Sequence, residues 1–224
     1  MIGTGNPLRE EMAFPRFTRE EVRNKLGILA DEKLVLVPGG KLAGGNMVLL
    51  SMVIDALVSL TRRGGRFRLI FCVHPGDRTP YAVDSLTHKG IDFYEELLSL
   101  SSIPSMVVSK NVFTTSDMVP GADIVAEFGS SIGIESAYCD IPVISFGTEV
   151  SFCHHEQTNG TRTLEIVVSE LVISGVNSLT EVIQRLLTPK GFAVMRARQL
   201  EVCQPPVERG TALRKIADAL VEII

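Results

Sequence analysis

The chain has 224 residues, of which 45% are hydrophobic and 21% are charged. This length and composition are typical of one α/β domain with a sizeable core. The formal net charge of −4 disfavours nucleic acid as a partner, because no basic stripe is present to neutralise a phosphate backbone. The concentrated basic segment at residues 62–68 is most simply a solvated turn.

We expect a cytoplasmic protein with no transmembrane segment. No apolar run approaches the roughly 20 residues that cross a bilayer, and the amino terminus lacks the layout of a signal peptide. Peripheral association with the inner face of a membrane is an alternative location. The four cysteines show no C-x-x-C spacing, which favours reduced thiols.

Short apolar runs alternate with helical patterns along the chain. The runs predict strands at residues 34–37, 68–73, 105–108, 124–128, 143–146 and 170–176. The intervening patterns predict helices near residues 47–60, 92–100 and 116–119, and a short helix after the paired serines. Near-continuous Val, Ile and Leu in the strands is typical of a parallel sheet that is covered on both faces. We therefore predict an α/β fold with a single Rossmann-like, doubly wound parallel sheet of about six strands and helices on both faces.

Helical patterns also occupy both ends of the chain. Thr18-Arg-Glu-Glu21 opens a short helix that ends near Leu26, so residues 1–30 are predicted as a linker with this helix, ahead of a domain at residues 31–224. Two helices are predicted to close the chain. The first begins at Ser178-Leu-Thr-Glu181, which has the spacing of a capping box.

The second closing helix is predicted to run from about residue 211 to residue 224. Its apolar positions recur at helical spacing: Leu213, Ile216, Ala217, Leu220, Ile223 and Ile224. These side chains are predicted to pack on the sheet or to form the contact of a homodimer.

The most informative stretch of the chain is Gly121–Phe146. A buried strand ends at Gly129, Ser130 and Ser131 follow, and a short helix then carries Glu135. A strand that ends in glycine and small hydroxyls before a helix offers backbone N–H groups at the carboxyl edge of a sheet, where phosphate-bearing ligands bind. The stretch predicts a nucleotide or nucleotide-sugar site, with Glu135 within reach of sugar hydroxyls.

Several motifs resemble the carboxyl-terminal half of GT-B glycosyltransferases, an architecture shared with the non-hydrolysing UDP-N-acetylglucosamine 2-epimerases. The motifs are the link "TGNP", the helix ending "KLGI", the strand "LVLVPGG" and the stretch "ADIVAEFGSSIGIESAYCDIPVISF". An "HP" pair followed by an "SS" pair is similar to bacterial sialyltransferases, polysialyltransferases and CDP-glycerol-type polymer transferases. The resemblance covers roughly residues 3–188.

The resemblance implies a role for each matching residue. Ser130 and Ser131 would hold the donor phosphate, and His74, oriented by Pro75, would donate to a phosphate oxygen. Glu135 would accept hydrogen bonds from ribose hydroxyls. The implied substrate-binding residues are Gly39, Gly40, Lys41, His74, Pro75, Gly129, Ser130, Ser131 and Glu135.

The function implied by the resemblance is donor binding in a nucleotide-sugar-dependent glycosyltransferase of polysaccharide biosynthesis. The catalytic base and the acceptor site would then belong to an amino-terminal half, in the same or a separate chain, so little activity is expected from this chain alone. Neither a cofactor nor a metal is expected, and the chain lacks the Walker A and G-x-G-x-x-G motifs. The alternatives are a non-catalytic nucleotide- or phosphosugar-binding module and an epimerase-like enzyme.

Each predicted site residue also has a purely structural interpretation. Ser130 is a favoured residue for a helix N-cap, and Gly39-Gly40 allows a tight turn. The structural alternatives for Glu135 are a surface helix residue or a partner of a neighbouring basic residue, and the alternative for His74 is to close a strand and hydrogen-bond the backbone. Cys153-His154-His155-Glu156 contains metal-ligand types, but adjacent residues rarely converge on one ion, so a loop at the rim of the site is the simpler interpretation.

Overall fold

The computed structural model describes residues 10–11, 13–41, 43–74, 90–108, 113–128, 130–146, 170–172, 176–202 and 204–221. Its strands are β1 (Lys33–Pro38), β2 (Phe67–Cys72), β3 (Ser105–Val108), β4 (Ile124–Glu127), β5 (Val143–Phe146) and β6 (Glu170–Val172). They form one six-stranded sheet in the order β3-β2-β1-β4-β5-β6, and every pair of neighbours is parallel. The predicted α/β class and the parallel sheet of about six strands are confirmed.

The α-helices are α1 (Arg19–Lys25), α2 (Ala43–Arg62), α3 (Gly90–Ser99), α4 (Thr115–Met118), α5 (Ile132–Tyr138), α6 (Val176–Leu186), α7 (Pro189–Val202) and α8 (Thr211–Val221). The predicted capping box at Ser178 is wrong, because α6 already begins at Val176 and Ser178 lies inside its first turn. The prediction of two closing helices is also wrong, because α7 lies between the other two. The buried side of α7 consists of Gly191, Met195 and Gln199, and a stripe with a single large apolar residue gives little amphipathic signal.

The helices cover both faces of the sheet. One core cluster combines Val35 and Val37 of β1 with apolar residues of α2, α3, α6 and α7. The other combines Leu34 and Leu36 of the same strand with residues of α1, α4 and α5. Successive side chains of a strand point to opposite faces, so a strand buried on both faces is apolar at every position.

Helix α2 contains a longer apolar segment than we predicted. Its residues 44–62 are long and apolar enough, by length and composition alone, to cross a membrane. Leu50, Val53 and Leu57 are fully buried in the core cluster that α2 shares with the sheet and with α6. The apolar character of α2 therefore has an explanation within this fold.

Helix α1 packs on the same domain. The predicted start of the helix at Thr18 is confirmed, and Thr18 and Glu21 also form the reciprocal hydrogen bonds of a capping box, which we did not predict. Val22, Leu26 and Ile28 lie in the core cluster that contains Leu34 of β1. The predicted linker helix is therefore packed against the sheet.

Asp123, just before β4, links α1 to the amino-terminal edge of the sheet. Its side chain, 11% exposed, accepts hydrogen bonds from the Leu34 N–H at 2.8 Å, from Arg19 at 2.8 Å and from Arg23 at 3.1 Å. Arg23 also donates to the carbonyl oxygens of Leu29 and Glu32, at 2.8 and 2.7 Å. One carboxylate thus joins the starts of β1 and β4 to the helix that precedes them.

We expect Asp123→Ala to lower the free energy of unfolding by about 2–4 kcal/mol, because it leaves the Leu34 N–H without its acceptor and removes the carboxylate that pairs with Arg19 and Arg23. The matched control is Asp31→Ala, which removes an ion pair with Arg66 whose side chains are 58% and 56% exposed. That change should cost less than about 1 kcal/mol. Urea unfolding measures both, and equal losses would contradict the role assigned to Asp123.

Candidate functional site

The order of the strands reverses beside β1. Its neighbours are β2 and β4, and Leu36 of β1 pairs with Val125 of β4. Helix α2, which follows β1, lies on one face of the sheet, and α5, which follows β4, lies on the other. In sheets of this type the two departing connections leave a crevice at the carboxyl ends of the two strands.

Three of the predicted segments therefore meet at one edge of the sheet. Gly39–Lys41 follows β1, His74 lies two residues after the end of β2, and Ser130–Ser131 follows β4. Because β1 lies between β2 and β4, its loop lies between the other two segments. Pro75 and Gly129 lie outside the described residues.

In the glycine loop after β1, the backbone N–H groups of Gly39 and Gly40 donate hydrogen bonds to other atoms of the protein. Gly39 donates its N–H to the carbonyl of Cys72 at 2.8 Å. Gly40 donates to Oδ1 of Asn46 at 2.7 Å, and Nδ2 of Asn46 donates back to the Gly40 carbonyl at 3.0 Å. The amides of both glycines in this predicted substrate-binding loop are thus already bonded within the protein, whereas Lys41 is exposed.

Asn46 is a site residue that we did not identify from the sequence. It is 2% exposed, near the start of α2, and it also donates to the Tyr94 hydroxyl of α3 at 3.0 Å. The available signal was an amide side chain near the start of a largely apolar helix. Its role is to hold the loop after β1 in one conformation.

The two serines after β4 differ in their bonding. Ser130 donates its N–H to Oε2 of Glu127 at 2.5 Å, and its hydroxyl accepts from the Ile132 N–H at 3.3 Å. The N-cap position of α5 is Ser131, so the interpretation of Ser130 as the N-cap is wrong, although the Ser130 hydroxyl accepts the first amide of the helix. Ser131 is exposed, and its hydroxyl makes no capping hydrogen bond within the part of the chain described here.

Glu127, the last residue of β4, is the second residue that we missed. It is fully buried, opposite Ser145 of β5 in the strand register. The signal in the sequence was a single carboxylate at the end of an apolar strand. Through the Ser130 amide it fixes the turn that leads from β4 into α5.

Glu135 points into the protein. It is 5% exposed and hydrogen-bonds Ser116 of α4, so its interpretation as a surface helix residue is wrong. Burial raises the pKa of its carboxyl, the Ser116 hydrogen bond opposes this rise, and the nearby charge of Asp117 adds to it. A carboxyl that carries such a desolvation penalty is common where a ligand is bound.

Two cysteines lie on the same face of the sheet as Glu135. Burial raises the pKa of the Cys72 thiol to about 12, and burial together with the charges of Glu135 and Asp140 raises that of Cys139 to about 11. Both thiols are therefore protonated at neutral pH. A raised pKa makes each thiol less available as a thiolate at neutral pH than an ordinary cysteine.

No metal cluster is present among the residues that the structure describes, in that no three His, Cys, Asp or Glu side chains converge there. Cys153–Glu156 lies outside those residues. A groove of about 620 Å³ lies at the opposite, amino-terminal edge of the sheet, between Phe17, Asp123 and Phe192. None of the predicted site residues lines this groove.

Comparison of the sequence with known family models and with curated proteins finds no match. Solved structures do match. A Listeria monocytogenes protein assigned as a UDP-N-acetylglucosamine 2-epimerase matches with a TM-score of 0.61 and 13% identity, over 99% of this chain and 53% of that one. MurG from Acinetobacter baumannii matches with a TM-score of 0.59 and 13% identity, over 94% and 55%.

A variant of the wall teichoic acid polymerase TagF soaked with CDPG matches with a TM-score of 0.57 and 14% identity, over 98% of this chain and 49% of that one. Identities this low show the fold alone. The matched proteins are GT-B glycosyltransferases and an epimerase, which confirms the resemblance predicted from the motifs. The chain spans about half the length of each structure named here.

Gly39→Ala should lower the free energy of unfolding by about 1–3 kcal/mol, because an added methyl group would overpack the site. Its Cβ would lie 2.8 Å from the Cys72 carbonyl oxygen and 2.8 Å from the Phe71 ring. The control is Gly40→Ala, whose Cβ has 3.7 Å to its nearest neighbour, Oδ1 of Asn46. It should leave stability unchanged or raise it by about 0.5 kcal/mol. Urea unfolding of both variants separates close packing from general sensitivity of the loop.

The pH dependence of stability should report the burial of Glu135. A raised pKa means that the folded state favours the protonated carboxyl, so this residue's contribution to stability is present below pH 4.5, the ordinary pKa, and is lost as the pH rises through the folded pKa. Glu135→Gln should therefore match the wild type at low pH and be more stable than it at neutral pH. An advantage of the variant that does not grow with pH would contradict this prediction.

Proposed function

We propose that this chain is the donor-binding half of a nucleotide-sugar-dependent glycosyltransferase, with the donor phosphate at the carboxyl ends of β1 and β4. The main support is the reversal of strand order between these strands, beside which Gly39–Lys41 and Ser130–Ser131 both lie. Doubly wound sheets bind nucleotides at such a reversal. The glycosyltransferases among the matched structures make a nucleotide-sugar the favoured ligand class.

Side chains, more than glycine amides, would supply the phosphate contacts. The Gly39, Gly40 and Ser130 N–H groups all donate within the protein. The Ser131 hydroxyl and the Lys41 ammonium are exposed, and both are donors that bind phosphate oxygens. His74, which is half-buried two residues beyond the end of β2, is the third proposed donor.

Glu135 would bind the ribose. A carboxylate can accept hydrogen bonds from two adjacent hydroxyls, and in a site shielded from water such bonds are strong. The unfavourable burial of Glu135 supports this role, because a carboxylate that costs stability is more often retained for binding than for folding. Ser116, its present partner, would share or release the carboxylate when a nucleotide binds.

Sugar transfer would need a second half. An acceptor hydroxyl must attack the anomeric carbon while the leaving phosphate is stabilised, and these groups must be positioned together. In this proposal Ser131, His74 and Lys41 stabilise the leaving phosphate, and the other half provides the acceptor site and the base. The twofold greater length of the matched structures is compatible with such an arrangement. This chain alone would bind donor and turn over little of it.

Calorimetric titration of the chain with CMP, CDP, UDP, GDP and ADP tests the proposal. One pyrimidine nucleotide should bind selectively, and Ser131→Ala should weaken its binding about tenfold, as expected for a lost hydrogen bond to a charged group. Glu135→Gln should also weaken binding while raising stability at neutral pH. The control is Ser51→Ala, which changes an exposed serine on α2, away from the strand ends.

Two outcomes would count against the proposal. Unchanged affinity in Ser131→Ala would mean that the phosphate does not lie at the turn after β4. Absence of binding by every nucleotide would mean that the chain does not hold the donor by itself.

A further inference from the structure

The loop after β1 is fixed on both sides of Gly40 by one side chain. Oδ1 of Asn46 accepts the Gly40 N–H at 2.7 Å, and Nδ2 of Asn46 donates to the Gly40 carbonyl at 3.0 Å. The N–H belongs to the peptide group between Gly39 and Gly40, and the carbonyl belongs to the peptide group between Gly40 and Lys41. A single amide therefore orients the two peptide planes that lead into Lys41.

Tyr94 of α3 supports this amide from inside the core. Its hydroxyl accepts a hydrogen bond from Nδ2 of Asn46 at 3.0 Å. Asn46 is 2% exposed and Tyr94 is 0% exposed, so water does not compete for this bond. Because Nδ2 carries two N–H groups, it bonds Gly40 and Tyr94 at once, and the two bonds restrict rotation of the amide.

The ring of Tyr94 supports the other glycine of the loop. It packs against the ring of Phe71, with 4.5 Å between the ring centroids. Phe71 in turn lies against Gly39, where an added methyl group would be 2.8 Å from the ring. The tyrosine hydroxyl thus supports one glycine through an amide, and the tyrosine ring supports the other through a phenyl group.

We propose that Tyr94 is a positioning residue for the donor site, which fixes the loop after β1 so that Lys41 meets the donor phosphate. The inference rests on the proposed function, because that function assigns Lys41 to the phosphate. A lysine on an unfixed loop loses backbone freedom when it binds a ligand. On a loop that is fixed beforehand, this entropic cost of binding is smaller.

A buried hydroxyl and a buried amide are not needed to fill this part of the core. Apolar side chains of similar size would fill it without removing polar groups from water. Hydrogen bonds to backbone atoms, however, specify one loop conformation, which apolar contacts do not. The polar pair therefore acts on the conformation of the loop.

Hydrogen exchange of the Gly40 amide, measured by NMR, tests the fixing of the loop. Tyr94→Phe removes the hydroxyl and keeps the ring, so this amide should exchange about fivefold faster, as expected for one lost neutral hydrogen bond. The control is Tyr138→Phe, which removes a hydroxyl beside the groove at the opposite edge of the sheet and should leave the exchange unchanged. Unchanged exchange in Tyr94→Phe would overturn the proposal.

Calorimetric titration with CMP, CDP and UDP tests the effect on binding, at a temperature where circular dichroism shows each variant folded. Tyr94→Phe should weaken nucleotide binding about fivefold, because Lys41 must then be ordered on binding. In a Lys41→Ala background the same change should weaken binding no further, since no lysine is left to position. An equal loss in both backgrounds would contradict the positioning role.

The two proposals fail in different ways. Absence of binding of all three nucleotides by the wild type would refute the proposed function and, with it, this role of Tyr94. Wild-type binding that Tyr94→Phe leaves unchanged would refute the positioning role alone.

Discussion

The parallel pairing of β1 with β4 determines where the other elements lie. Since β2 already occupies the other side of β1, the chain must reverse the direction in which it adds strands, and its connections must change face. α2 and α3 consequently cover one face of the sheet, and α4 and α5 the other. The same reversal leaves the loops after β1 and β4 side by side without a helix between them. Both the core and the candidate site follow from this one pairing.

The two ends of these strands are stabilised in different ways. At the amino edge, the Asp123 carboxylate accepts the Leu34 amide and pairs with two arginines of α1. These bonds join α1 to the starts of β1 and β4. At the carboxyl edge, single polar side chains, Asn46 and Glu127, each hold one turn through backbone atoms. The amino edge is therefore stabilised by one connected network of ion pairs and hydrogen bonds. At the carboxyl edge, each turn is stabilised separately by one side chain.

These hydrogen bonds determine which donor groups at the carboxyl edge are available to a ligand. Because Asn46 and Glu127 accept the amides of Gly40 and Ser130, those amides are fixed in the protein's own interactions. The groups left facing outward are flexible or hydroxylic, such as Lys41 and Ser131. Glu135 differs from these residues, because burial of its carboxyl favours the neutral form over the charged form.

Much of the architecture was predictable because it depends on local pattern. Continuous apolar runs gave the first five strands within one residue at each end, whereas the sixth was predicted to reach Val176, which already lies in α6. The segment Thr18–Glu21 located the start of α1. The turn after β4 was recognised from its small residues. α7 was missed because its buried side includes a glycine and a glutamine, and the start of α6 was misplaced because a capping pattern occurred inside the helix.

By itself the sequence determined the alternation of strands and helices, the burial of the sheet on both faces and the residues that follow each strand. Only the tertiary structure decided which strands are neighbours, that Glu135 turns inward to Ser116, and that Gly39 is packed beneath Phe71. The physical reason is the distance along the chain over which each interaction acts. Local propensity and periodicity act over a few residues, whereas strand order, burial of a carboxyl and close packing depend on contacts between segments far apart along the chain.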